Sequence, residues 1–303
     1  MNETNGLTAE EVQEAQTPAW AQVKAPEACR PFLGRSGLPE PYHSKKTPLG
    51  PKVLGVDRWQ ANHFIVYRRE TAAELYGAYS ARTALCRPGT LPLAERVAAD
   101  YAAGLATAEE KATAFVTRAL PERMPHATLP PVGPFCRTDR ALDDEPLLAS
   151  GSGFCNEQAR VFIRLCQVSG IAARLVFLFY ADKATGHTTA EFWTGEKWAM
   201  VDVSWYAVFP GPDGRLMSAA ECHGNEAERL AMAVSYQTRL RQIAALSDEA
   251  LCGRAFPAAT PERAAAVATK AAELRAVVQQ HMPLARLTAH LWQFGILNYP
   301  LPA

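Results

Sequence analysis

Cys155, His187 and Asp202 are three residues whose types and order could do chemistry together. A cysteine attacks a carbonyl carbon when a nearby base or a lowered pKa gives the sulfur thiolate character. A histidine can take the thiol proton and later give it to the leaving group, and an aspartate can orient the imidazole and stabilise the imidazolium. We therefore predict acyl-transfer chemistry with Cys155 as nucleophile, His187 as base and Asp202 as the orienting acid.

Cys155 stands where a helix is predicted to begin. An apolar stripe at helical spacing follows it, and Ser169-Gly170 is a typical helix stop. In the first turn, free backbone N–H groups and the helix dipole favour a thiolate and can stabilise an oxyanion. Glycines just before Cys155 allow a substrate to approach the backbone closely. We therefore predict that Gly153 and Phe154 contribute to substrate binding.

His187 and Asp202 fall on two predicted strands that follow an apolar strand at 173–180. If Thr194-Gly195 is a two-residue hairpin loop, His187 lies directly opposite Asp202, with Cβ atoms about 4.5–5.5 Å apart. A loop of odd length would place a valine opposite instead. Glu191 shares a strand face with His187 and could shape the substrate site, although a solvated strand position explains it equally well.

The same stretch resembles the core of the transglutaminase-like superfamily. The resemblance covers about residues 151–206, and the ordered combination of its pieces is more specific than any piece alone. The matching segments are Gly153-Phe154-Cys155, Gly170-Ile171-Ala172-Ala173-Arg174, Gly186-His187 followed by Glu191, and Trp198 followed by Val201-Asp202.

The resemblance implies a papain-like α+β fold, in which a helix bearing the cysteine packs on an antiparallel sheet bearing the histidine and the aspartate. It also implies a thioester formed with an amide or peptide substrate and then passed to water or to an amine. Asn156 stands where cross-linking members often carry tryptophan, and no calcium-site signature is present, so the resemblance points to the microbial type. Trp59 is a remote candidate for the family's upstream oxyanion-hole tryptophan.

The chain divides into three predicted parts. Residues 1–68 form a proline-rich N-terminal arm, residues 69–218 the catalytic core, and residues 219–303 a C-terminal helical segment packed on the core. Helices are predicted at 69–83 and 93–120, with a break at Gly104, and again at 219–248 and 261–292. The proline-rich stretch at 121–150 is predicted to be a long loop.

Composition and spacing exclude several other classes of protein. Lys and Arg total 31 and Asp and Glu total 31, a balance that argues against a nucleic-acid partner. No apolar run is long enough to cross a membrane, and the N-terminus does not look like a secretory signal peptide. The seven cysteines are odd in number and form no Cys-x-x-Cys pair, which predicts reduced thiols in the cytoplasm. We expect no metal and no organic cofactor, and the sequence leaves the oligomeric state open.

Two alternatives to an amide or peptide hydrolase stay open at this point. The first is an aminoacyl or peptidyl transferase that uses the same three residues on a thioester donor in a biosynthetic pathway. The second is an inert binding module that keeps the fold without the reaction. The sequence identifies neither the substrate nor the acceptor.

Overall fold

The computed structural model describes residue 89 and residues 91–134, 144–180, 185–222, 225–291 and 294–297. The proline-rich arm at 1–68, with Trp59, and the helix predicted at 69–83 lie outside the described residues.

Helices precede and follow a sheet whose described strands β1–β4 are consecutive in the chain. The α-helices are α1 (Pro92–Ala102), α2 (Ala108–Ala114), α3 (Leu120–Arg123), α4 (Asp144–Ser150), α5 (Cys155–Val168), α6 (Ala219–Cys222), α7 (Glu226–Ala244), α8 (Asp248–Cys252), α9 (Pro261–His281) and α10 (Leu284–Leu291). A π-helical turn, Phe115–Ala119, joins α2 to α3, and a 3₁₀ turn, Gly253–Ala255, follows α8. The strands are β1 (Ala173–Tyr180), β2 (Thr185–Trp193), β3 (Trp198–Asp202), β4 (Ala207–Val208) and β5 (Phe294–Leu297).

The strands form one antiparallel sheet in the order β4-β3-β2-β1-β5. Helix α5 packs on one face, where Phe162 contacts Phe192 of β2 with ring centroids 6.4 Å apart. Ala190, Ala199 and Val201 belong to the same buried cluster. A cysteine-bearing helix on an antiparallel sheet confirms the predicted papain-like α+β fold.

The C-terminal helices cover the opposite face of the sheet. Val176, Leu178 and Met200 share a second buried cluster with residues of α7, α8 and α9, among them Met232 and Leu240. Side chains alternate between faces along a strand, so the two clusters take alternate residues of β3. The sheet is therefore buried on both sides, by the core helices and by the C-terminal helices.

Side-chain caps and a glycine mark several helix ends in the described residues. Helix α2 begins with a capping box in which Thr107 and Glu110 each accept a hydrogen bond from the other's backbone. Helix α9 begins with Thr260 as N-cap and Pro261 in the first turn. Helix α5 ends at Ser169, and Gly170 has φ +75°, a conformation that favours glycine.

Two parts of the predicted organisation were wrong in detail. The stretch at 121–150 is not a continuous loop, because α3 extends to Arg123 and α4 occupies Asp144–Ser150. The helical stretch at 219–248 is divided between α6 and α7, with α8 beginning at Asp248, and the stretch at 261–292 is divided between α9 and α10. Asn225 and Ser247 begin the new helices as N-caps, because each side chain accepts a backbone N–H of the first turn.

Within the described ranges, no helix combines the length and the apolar composition needed to cross a bilayer.

Candidate active site

The hairpin that carries His187 and Asp202 has a different register from the predicted one. Trp193 pairs with Trp198 and Ala190 with Val201, so the turn has four residues, 194–197, and not two. Extending this register places Thr189, not His187, opposite Asp202, and the predicted direct pairing was wrong. Because the turn is even in length, His187 and Asp202 still project from the same face as diagonal neighbours.

The two side chains meet across that diagonal. Nε2 of His187 lies 3.0 Å from Oδ2 of Asp202, with the imidazole 20% exposed and the carboxylate 1% exposed. His187 pairs with Leu178 of β1, which places the imidazole on the face covered by the C-terminal helices. The acid is therefore buried, while the imidazole keeps an exposed edge.

Asp202 has four donors around its carboxylate. Oδ1 accepts the backbone N–H groups of Ser204 (2.9 Å) and Trp205 (3.1 Å). Oδ2 accepts from His187 and from the hydroxyl of Tyr236 on α7. A buried carboxylate needs such partners. Burial alone would raise the pKa of Asp202, but His187 and these donors lower it below its usual 3.8.

Cys155 is the first residue of α5 and is half-buried. Its sulfur lies close enough to the imidazole of His187 to contribute to the raised pKa of that ring. By contrast, Cys166, Cys222 and Cys252 are buried, and burial raises the pKa of each of these thiols. Cys155 is thus distinguished from the other described cysteines by its exposure and by its contact with a histidine.

His187 lies between the sulfur and the acid. Burial opposes its charged form, but the Asp202 carboxylate and the Cys155 sulfur outweigh burial and hold the pKa of His187 well above the usual 6.5. An imidazole with a raised pKa and an adjacent sulfur can take and keep the thiol proton. The arrangement can therefore hold a thiolate next to an imidazolium.

A buried hydrogen-bond network fixes the helix of Cys155 relative to the turn that follows Asp202. Gln158, one turn into α5, donates to the carbonyl of Met124 (3.0 Å) and accepts from the hydroxyl of Ser204 (3.2 Å). Its amide also lies 3.4 Å from the hydroxyl of Tyr206, which accepts the backbone N–H of His126. Burial raises the pKa of Tyr206 to about 12, so this hydroxyl stays protonated.

Gly153 and Phe154 lie directly before the nucleophile helix. A Cβ on Gly153 would collide with Cε at the flexible end of Met124 and would lie 3.0 Å from Cβ of Glu157, so a larger residue there would make both neighbours shift. The backbone N–H of Phe154 donates to the carboxylate of Glu157 (2.7 Å), and its ring packs edge-on against His126, 5.8 Å between centroids. These contacts hold the loop before Cys155, and binding of substrate by Gly153 and Phe154 stays a prediction.

Glu191 is held by Arg174 and by the start of α6. Its side chain is 1% exposed, and Oε2 accepts from Arg174 at 2.7 Å and 2.8 Å. Oε1 accepts the backbone N–H of Ala219, at the start of α6, at 2.7 Å. Both oxygens are engaged in holding α6 and Arg174, so a role for Glu191 in binding substrate stays a prediction.

Sequence reasoning missed Tyr236, Gln158 and Tyr206. Tyr236 lies on a C-terminal helix, 34 residues after Asp202, and no local pattern links the two. Gln158 follows Cys155 by nearly one helical turn, a spacing that could have identified it as a neighbour of the site. Tyr206 has φ +55°, which is unusual for a residue other than glycine and marks the tight turn after β3.

Nothing in the part of the chain that the structure describes resembles a metal centre: no group of three or more His, Cys, Asp or Glu side chains there could hold an ion. The chemistry that the site offers comes from its side chains and from the N-terminus of α5. A nucleophilic sulfur, a base and an oriented acid are what acyl transfer needs.

Comparison with known proteins gives one match. Residues 95–203 match the family model described as the transglutaminase-like superfamily, a range that contains Cys155, His187 and Asp202. No curated protein and no solved structure matches the chain. The match supports the general kind of protein expected from the site, a papain-like cysteine enzyme. Residues 95–203 of this chain are therefore a transglutaminase-like superfamily domain.

Proposed function

We propose that this protein is a cysteine-dependent acyl-transfer enzyme of transglutaminase-like type, in which Cys155 forms a thioester with an amide or peptide substrate. The observation that carries the proposal is the imidazole of His187, which lies 3.0 Å from the carboxylate of Asp202 and beside Cys155, the first residue of α5. A cysteine with a purely structural role would not need a histidine and an aspartate beside it. The superfamily match over the same residues supports this assignment.

The first half-reaction breaks the amide. The thiolate of Cys155 attacks the carbonyl carbon, a C–S bond forms, and the carbonyl oxygen becomes an oxyanion. The imidazolium of His187 then gives its proton to the departing nitrogen as the C–N bond breaks. Asp202 keeps Nε2 of His187 as a donor, which leaves Nδ1 as the nitrogen that exchanges a proton with sulfur and substrate.

The second half-reaction returns the enzyme to its starting state. Water or an amine gives a proton to the neutral imidazole and attacks the thioester carbon, the C–S bond breaks, and the thiolate reforms beside the imidazolium. The N-terminus of α5, with Cys155 as its first residue, supplies backbone N–H to the oxyanion in both halves. The acceptor decides whether the enzyme is a hydrolase or a transferase, such as an aminoacyl or peptidyl transferase with a thioester donor.

Acylation of Cys155 is the test of the proposal. Wild type and Cys155→Ala would be incubated with p-nitrophenyl acetate and with a mixed amide and peptide library, and intact masses recorded. We expect an acyl adduct on wild type alone, mapped to Cys155, with the buried Cys166, Cys222 and Cys252 unmodified. An added alkylamine should give an amide product if the enzyme transfers to amines, whereas water alone gives the acid.

The inert-module alternative makes the opposite prediction for the same thiol. Alkylation of Cys155 by iodoacetamide would then follow an ordinary thiol, half-ionised near pH ~8.5, and no acyl adduct would form. That combination would overturn the proposed function.

A further inference from the structure

Tyr236 connects the C-terminal helices to the site. It lies in the middle of α7, its side chain is 6% exposed, and its hydroxyl hydrogen-bonds to Oδ2 of Asp202. This is the oxygen that also accepts from Nε2 of His187 at 3.0 Å. The family match ends at residue 203, so Tyr236 comes from outside the matched domain.

A second contact from the same helix face holds the turn that carries Asp202. Nε of Arg239, three residues after Tyr236, donates to the backbone carbonyl of Trp205 (3.2 Å), and its guanidinium lies over the ring of Tyr206, 5.6 Å from the centroid. Residues three apart lie on one face of a helix, so α7 contacts this region twice, through Tyr236 and through Arg239. The Tyr236 ring is itself fixed against Phe209, 5.0 Å between centroids.

We propose, as an extension of the proposed function, that Tyr236 is a positioning residue of the site: its hydroxyl fixes the Asp202 carboxylate so that Oδ2 faces His187. Oδ1 is already committed to two backbone N–H groups, so the carboxylate cannot turn without losing partners. The phenol also draws electron density from the oxygen that faces the imidazolium, which weakens the attraction between the acid and the base. Tyr236 thus sets both the direction and the strength of the contact.

The groups that could titrate around this contact are few in the described part of the chain. Cys155 of α5 adjoins the imidazole, Tyr206 lies in the turn after β3, and Tyr236 and Arg239 come from α7. Tyr206 is held protonated by burial, and burial lowers the pKa of Arg239, although a guanidinium keeps its charge throughout the neutral range. A change in the titration of His187 on removal of the Tyr236 hydroxyl therefore reports on the Tyr236–Asp202 contact.

The experiment compares wild type with Tyr236→Phe and, as a matched control, Tyr101→Phe. Tyr101 also donates to a carboxylate, Oε2 of Glu122 at 2.7 Å, but outside the site. The readout is the ring titration of His187 by NMR of protein labelled at histidine, with assignment by His187→Gln. Without the phenol, Asp202 holds the imidazolium more strongly, so the pKa of His187 should rise by about 0.5 or more in Tyr236→Phe and stay unchanged in Tyr101→Phe.

Two further arms keep the outcomes distinct. Site-specific 3-fluorotyrosine at position 236 gives a stronger donor without removing the ring, and it should lower the pKa of His187 even where Tyr236→Phe does not fold. An unchanged His187 titration in both Tyr236 proteins overturns the positioning role. Iodoacetamide reactivity of wild-type Cys155 is measured alongside: an ordinary thiol there overturns the proposed function, whereas an activated thiol with no Tyr236 effect overturns this inference alone.

Discussion

At the scale of single residues, the proposed chemistry depends on one proton held between Cys155 and His187. The structure gives His187 two neighbours that favour its charged form, the Asp202 carboxylate and the Cys155 sulfur. Residue types and their order were enough to predict that these three side chains lie together. The donors that complete the acid, above all Tyr236, were not predictable, because a hydrogen bond across 34 residues leaves no local pattern.

Asp202→Asn tests what the acid contributes to the base. The carboxylate raises the pKa of His187 against the effect of burial, so a neutral amide should let that pKa fall. The thiolate–imidazolium pair then becomes less stable, and thiolate formation moves to higher pH. We expect iodoacetamide alkylation of Cys155 at pH 7 to slow by about tenfold or more, since each unit of pKa corresponds to a tenfold change in the ion-pair equilibrium.

The matched control for this variant is Asp213→Asn. Asp213 accepts a backbone N–H, that of Arg215 at 3.0 Å, in an exposed turn, as Asp202 does in its buried one. The control should keep the wild-type alkylation profile. His187→Ala should abolish the activation of Cys155, with its unfolding still cooperative by circular dichroism. A wild-type profile in Asp202→Asn would contradict the role given to the acid.

At the scale of elements, the sequence predicted that His187 and Asp202 share one sheet face, but not the register in which β2 pairs with β3. Alternation along β2 and β3 placed His187 and Asp202 on one face, and any turn of even length preserves that result. The Thr-Gly pair predicts a turn but does not fix its length. In the structure, Thr194 and Lys197 exchange backbone and side-chain hydrogen bonds across a four-residue turn, and Gly195 has φ +108°. The imidazole reaches Asp202 because a diagonal pair is still within the reach of a long side chain.

Glu191→Gln tests whether Glu191 holds the elements around the site together. The carboxylate ties Arg174 of β1 to the start of α6, and its burial makes the loss of one charge costly. We expect the free energy of unfolding in urea to fall by about 1.5–3 kcal/mol, the range for hydrogen bonds to charged groups.

The control for Glu191→Gln is Glu196→Gln in the neighbouring turn. Its ion pair with Arg215 is exposed on both sides, 76% and 57%, and should contribute little to stability. If Glu191 instead binds substrate, as the sequence also allowed, Glu191→Gln would keep wild-type stability and weaken only the turnover of the acyl donor.

At the scale of the whole molecule, the sheet takes its second cover from the C-terminal helices. Val176 and Leu178 of β1 and Met200 of β3 lie in the cluster built with α7, α8 and α9. Helical periodicity predicted these helices, but it did not show which sheet face they cover. The superfamily match stops before them, yet they supply Tyr236 and complete the core.

A chain that ends at Ser218 tests this dependence. The truncation exposes Val176, Leu178 and Met200, and burial of each such side chain is worth about 1.5–3 kcal/mol, against a typical total stability of about 5–15 kcal/mol. It also removes the backbone N–H of Ala219 from Glu191 and the hydroxyl of Tyr236 from Asp202. We therefore expect the truncated chain to lose the cooperative urea transition of the full chain and to bind a dye for exposed apolar surface. A truncated chain with the same urea midpoint as the full protein would show that the matched domain folds alone and that the C-terminal helices do not stabilise it.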